Sequence, residues 1–60
     1  MELILHVIFK KGDYNLKRFK TLEEATFYME NIQQFYDVDY LKKLQLLDFE
    51  NAKELRVKEF

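Results

Sequence analysis

Asp37 and Asp39 stand on either side of Val38. Two carboxylates this close can share a hard cation. A calcium loop, however, adds a glycine at its sharp turn and several further oxygen ligands. Neither surrounds this pair, which reads as a solvated turn. The chain has no serine and no cysteine, so its only side-chain hydroxyls are those of threonine and tyrosine. No Ser or Cys nucleophile can be set beside an activating base, and disulfides and thiolate metal sites are excluded. His6 is the sole histidine and has no second imidazole with which to share a metal. With one glycine, no glycine-rich phosphate cradle can form. The residue types point away from catalysis, and the expectation is a non-enzymatic protein with no cofactor and no metal site.

Three constellations remain, and all concern binding. The first is basic: Lys10, Lys11, Lys17, Arg18 and Lys20 lie within eleven positions, with Tyr14 and Phe19 among them. Such a set can contact phosphates and stack bases. It can equally be a solvated strand edge, where lysines discourage edge-to-edge pairing. A nucleic-acid binder usually shows a basic domain as a whole, whereas this chain has a net charge of −1. The second is His6 among Ile4 and Ile8, which could be a pH-sensitive interface residue or simply a half-buried one. The third is Phe27, ringed in sequence by Glu23, Glu30 and Gln34. An aromatic centre with a polar rim has the make-up of a binding hot spot.

What these residues can do depends on the elements that carry them. Sixty residues make one small domain over 1–60, and a chain of that length buries only about 60% of its unfolded surface. Small scaffolds add disulfides, a metal or a partner, and here only the partner is available. Hydrophobic residues are 48% of the chain, ten of them aromatic, which argues for a packed core and against disorder. No apolar run approaches the ~20 residues of a membrane span. The N-terminus has an acid, Glu2, where a secretion signal needs basic residues, so a cytoplasmic protein without a membrane role is expected.

Residues 2–10 read as a strand, Gly12 supplies a turn, and residues 14–20 return as a second strand. A two-residue loop at Gly12-Asp13 or at Lys11-Gly12 gives the same parity. Leu3, Leu5, Val7 and Phe9 then share a face with Leu16, and Ile4, His6, Ile8 and Phe19 share the other. Thr21-Leu-Glu-Glu24 is a capping box: the Glu24 amide donates to the Thr21 hydroxyl, and the Thr21 amide donates to the Glu24 carboxylate. The helix it starts runs from about Leu22 to Phe35. Leu22, Ala25, Met29, Ile32 and Tyr36 make its core stripe, flanked by Tyr28 and Phe35. Phe27 lies about 160° from that stripe.

Residues 39–49 are ambiguous by period, since Tyr40, Leu44 and Leu47 also suit a helix. A strand over 44–49 is favoured, because the alternating segment 55–60 needs a neighbour. Glu50-Asn51-Ala52-Lys53 makes the turn, with Asn51 its only good turn former.

The expected fold is α+β: hairpin, helix, hairpin, forming one antiparallel sheet with the helix across one face. The other face would be apolar, carrying Leu47 and Phe49 besides Ile4, His6, Ile8 and Phe19. A patch of that kind marks an interaction surface, here one for self-association through Ile4, His6, Ile8 and Phe19.

Charge is segregated along this layout. Residues 1–20 sum to +3, residues 21–39 to −5 with no base, and residues 40–60 to +1. The reading is a protein–protein interaction module, a homodimer, that binds a partner through Phe27, Glu23, Glu30 and Gln34 on an acidic helix, as an inhibitor or adaptor. Nucleic-acid binding through the basic hairpin is the alternative.

Overall fold

The computed structural model describes residues 1–60. Its elements run β1 (Leu3–Phe9), β2 (Tyr14–Phe19), α1 (Leu22–Glu30), two single 3₁₀ turns (Ile32–Gln34 and Val38–Tyr40), β3 (Leu41–Asp48) and β4 (Lys53–Glu59). The strands form one antiparallel sheet in the order β2-β1-β3-β4, so the two hairpins meet through β1 and β3. Helix α1 crosses one face. This is the expected α+β arrangement, and residues 41–48 are strand rather than helix.

The first hairpin closes by a different loop from the expected one. The Gly12 amide donates to the Phe9 carbonyl, and the Phe9 amide to the Asp13 carbonyl, each at 3.0 Å. Lys10, Lys11 and Gly12 thus make a three-residue loop, a tight turn followed by a glycine in the left-handed region at φ 100°. One extra loop residue reverses the parity of β2. Phe19 pairs with Leu3 and Leu16 with His6. Phe19 therefore lies on the helix side, packed against the core, and Leu16 on the open side. Both assignments are the reverse of the expectation, and Phe19 leaves the proposed self-association set.

The N-cap of α1 forms as its sequence predicts. Thr21 is extended, and its hydroxyl accepts from the Glu24 amide at 3.1 Å. The return bond from the Thr21 amide is not made, so one half of the box is present. The helix stops at Glu30, five residues short of the expected end. Asn31 donates both its backbone amide (3.1 Å) and its side-chain amide (2.9 Å) to the Phe27 carbonyl. A 3₁₀ turn then keeps Ile32 buried. That tightening turns Phe35 outward, and Leu22 at the opposite end is 43% exposed, so neither belongs to the buried stripe.

Helix residues Ala25, Tyr28 and Met29, with Ile32 after them, pack on Leu3, Leu5 and Val7 of β1 and Leu41, Leu44 and Leu46 of β3. Phe9, Phe19, Tyr36 and Leu55 border this cluster. Two bulges re-aim the ladder, one between Ile8 and Phe9 opposite β3, the other between Leu46 and Leu47 opposite β4.

The second turn is organised by the Asp48 carboxylate together with Asn51. The Asp48 carboxylate accepts from the Asn51 side chain (2.8 Å) and from the amides of Glu50 and Asn51 (3.2 and 3.4 Å). The left-handed position falls one residue later, on Ala52 at φ 51°.

Candidate interaction surfaces

Because Thr21 anchors the first turn of α1, the phase of the helix is set, and Phe27 projects from its outer side with 62% of its surface exposed. Two shallow grooves border the ring. One is walled by Thr21, Glu23 and Glu24 and floored by Phe19 and Tyr28. The other runs past Leu22, Glu23, Thr26 and Glu30. A side chain lying against Phe27 would touch aromatic carbon on one flank and carboxylates on the other. Glu23 and Glu30 line these grooves as expected. Gln34 lies beyond the helix on the 3₁₀ turn, where its amide donates to Asn31 Oδ1 at 3.3 Å. It is tied to the cap of Phe27 and not to the grooves.

Beneath Phe27 is an aromatic cluster that sequence reasoning did not assemble. Tyr28 stacks on Phe35 (centroids 4.3 Å apart) and meets Phe19 (5.3 Å) and Tyr36 (6.5 Å). Its hydroxyl donates to the Tyr36 hydroxyl at 3.4 Å. Burial, and then the Tyr36 bond, push the Tyr28 phenol well above its ordinary pKa, so it stays a neutral donor. Lys17 lies over the same ring at 5.3 Å. The spacing of Tyr28 to Phe35 and Tyr36, seven and eight residues, was the available signal.

The basic residues of the first hairpin do not share one surface. Lys10 and Lys11 sit in the loop beside Phe9, Asp13 and Tyr40. Lys17 points to the helix side. Arg18 is on the open side, 3.7 Å from the Glu2 carboxylate. Lys20 follows β2 at its far end, about 20 Å from the loop by strand rise.

The open side of the sheet is built in three cross-strand rows. The middle row is Leu16, His6, Gln45 and Val57. One outer row is Tyr14, Ile8, Lys43 and Glu59. The other is Arg18, Ile4, Leu47 and Glu54. The expected residues Ile4, His6 and Ile8 are therefore together, at the centre. Tyr14, Leu16 and Val57, at 59, 60 and 41% exposure, join them because of the β2 parity and the β4 bulge. His6 meets Tyr14 edge-on at 5.0 Å, and its Nε2 is buried without a hydrogen-bond partner. Phe49, just past β3, is exposed, and its amide donates to the Glu2 carbonyl.

Asp37 caps the second 3₁₀ turn, its carboxylate accepting from the Asp39 amide at 3.0 Å. No group of three or more His, Cys, Asp or Glu side chains converges to hold a metal ion. No helix is long and apolar enough to cross a membrane. No protein-family model matches the chain, and neither a curated protein nor a solved structure shows significant similarity to it.

Proposed function

We propose that this protein is a non-enzymatic interaction module that docks a partner protein on the outer face of α1, with Phe27 as the anchor. The observation that carries this reading is the exposed Phe27 ring between two carboxylate-walled grooves. No lysine or arginine occurs from Thr21 to Tyr40, so the helix face contributes only negative charge, with Lys17 at one border, over Tyr28, and Arg56 and Lys58 at the other, beside Glu30. The partner that fits is a protein with an apolar socket rimmed by Lys or Arg. Burying the ring in the socket supplies affinity, and the charged rim supplies orientation and association rate. A small acidic module of this kind acts as an inhibitor or adaptor by occupying a basic surface that would otherwise bind something else. A cytoplasmic setting suits that role.

The test is a capture with the wild-type protein, followed by titration of each purified candidate against wild type, Phe27→Ala and Glu23→Lys. The expected result is a partner whose Kd rises more than tenfold with Phe27→Ala, the loss of an interface anchor. Glu23→Lys should slow association mainly at low salt. Phe27→Ala should leave the melting temperature within a few degrees of wild type. A partner bound equally well by wild type and Phe27→Ala overturns the proposal. So does an unfolding penalty of ~3 kcal/mol or more, the range for emptying a buried Phe site.

A further inference from the structure

The face of the sheet opposite α1 presents a chemistry that fits itself. Its three rows run from β2 to β4. Ile4, Ile8 and Leu47 share the middle with His6, Gln45 and Lys43; a cation stands at the β2 edge (Arg18, 3.7 Å from Glu2 of its own chain) and anions at the β4 edge (Glu54 and Glu59). Two sheets packed face to face lie about 10 Å apart with strand directions within about 30°. A two-fold axis between them can run along the strands or across them, and the two choices match different residues.

With the axis along the strands, β2 lies over β4 of the second copy and β1 over β3. Rows then face their own kind. Arg18 meets Glu54 of the second copy, Leu16 meets Val57, and Ile4 meets Leu47. The Tyr14 hydroxyl faces the Glu59 carboxylate. His6, whose Nε2 is already shielded by its own chain, lies opposite Gln45 and adds no bond to the pairing. Lys43, the one cation near the middle, keeps Glu59 beside it in the same row. With the axis across the strands, each strand lies over itself and the outer rows exchange. Glu54 then faces Glu59 twice, and Arg18 faces Tyr14. Like charges directly opposed are unfavourable, so the charge pattern selects the first arrangement.

We propose that two copies of this chain pair through the open sheet face, about a two-fold axis parallel to the strands, with β2 of each over β4 of the other. This surface is separate from the Phe27 face, so the dimer would present two acidic helices on opposite sides. Four strands at ~4.8 Å and six residues at ~3.3 Å give a footprint of roughly 400 Å². Two corrugated faces of that size bury on the order of 1,000 Å², the lower edge of specific interfaces. That area is enough for a specific dimer of the small, weak class.

The geometry has a charge-exchange test. Arg18→Glu alone sets two Glu–Glu contacts in the homodimer, and Glu54→Arg alone sets two Arg–Arg contacts. Mixed one to one, the two variants form a heterodimer in which both contacts are Glu–Arg again. Sedimentation velocity of the purified chain from ~5 to ~500 μM should show a wild-type dimer. Each single variant should dimerise on the order of tenfold more weakly, and the mixture should recover near wild-type association. Both side chains are exposed, but Arg18 also gives up its pair with Glu2 and Glu54 its bond from Gln45. The melting temperature of each variant is therefore measured beside its association, and Leu16→Lys gives a second, uncharged-to-charged probe of the same face. A wild-type monomer at 500 μM overturns the proposal. So does a dimer that Leu16→Lys leaves intact, which would place the contact elsewhere. A dimer weakened by the single changes but not recovered on mixing overturns the β2-over-β4 arrangement. None of these outcomes depends on Phe27.

Discussion

Phe19→Ala and Leu16→Ala should differ sharply in their effect on stability, and the difference measures the loop that closes the first hairpin. The three-residue loop places Phe19 beside Tyr28, at 5.3 Å between ring centroids, and borders it with the core. Emptying a fully buried Phe site costs about 3–5 kcal/mol. Phe19 is half-buried, which brings the cost to about 2 kcal/mol, the lost aromatic pair included. Leu16 keeps 60% of its surface in water, so its truncation in a monomer should stay within about 0.5 kcal/mol.

Urea unfolding in the Arg18→Glu background at submicromolar concentration, where the pairing does not contribute, separates the two. With a slope near 1 kcal/mol per molar for so small a domain, the midpoint should fall by about 2 M for Phe19→Ala and by less than about 0.5 M for Leu16→Ala. Gly12→Ala isolates the backbone share. A methyl group there meets no atom within 4 Å, so the φ of 100° alone sets its cost, about 1–2 kcal/mol. If Leu16→Ala proved as damaging as Phe19→Ala, the β2 parity would be that of a two-residue loop, and the open face described above would not exist.

Thr21→Ala should destabilise by about 1 kcal/mol in thermal melts through loss of the N-cap bond, while Thr21→Ser should be nearly silent. Ala52→Gly should raise stability by about 1 kcal/mol in the same melts, because glycine takes the left-handed φ of 51° without the Cβ clash. Asp48 carries a pH dependence. The Asn51 side chain, followed by the Asn51 and Glu50 amides, holds its carboxyl below the ordinary 3.8, against an opposing effect of burial. A depressed folded pKa gives stability that is present above the unfolded value and lost as pH falls through the folded one. The stability gap between wild type and Asn51→Ala should therefore be constant above about pH 5 and narrow as pH drops below 3.8. A gap that did not change with pH would show that Asn51 acts without the charge of Asp48.

Local chemistry was enough to read several features from the residues alone. The Thr21 cap needs only a hydroxyl three residues before an amide, and Phe27 faces outward because a helix with a known start has a known phase. The alternation over 44–49 and 55–60, with no proline and few turn formers, favoured two strands that needed each other, although the period of 39–49 also suited a helix. The absence of Cys, Ser and a second His limited the chemistry whatever the fold.

Other features depended on contacts between distant residues. The parity of β2 rests on one loop residue, and Lys10-Lys11-Gly12-Asp13 allows a loop of two or three. What distinguishes them is the burial of Phe19 against Tyr28, on an element that follows the hairpin. The helix ends at Glu30 because Asn31 caps Phe27 and a 3₁₀ turn keeps Ile32 in the core, a compromise between local capping and distant packing. The rows of the open face, and with them the opposition of Arg18 to Glu54, exist only after β1 pairs β3. Register between segments some forty residues apart in sequence is a property of the packed sheet, since loop closure leaves it free until side chains on both faces decide.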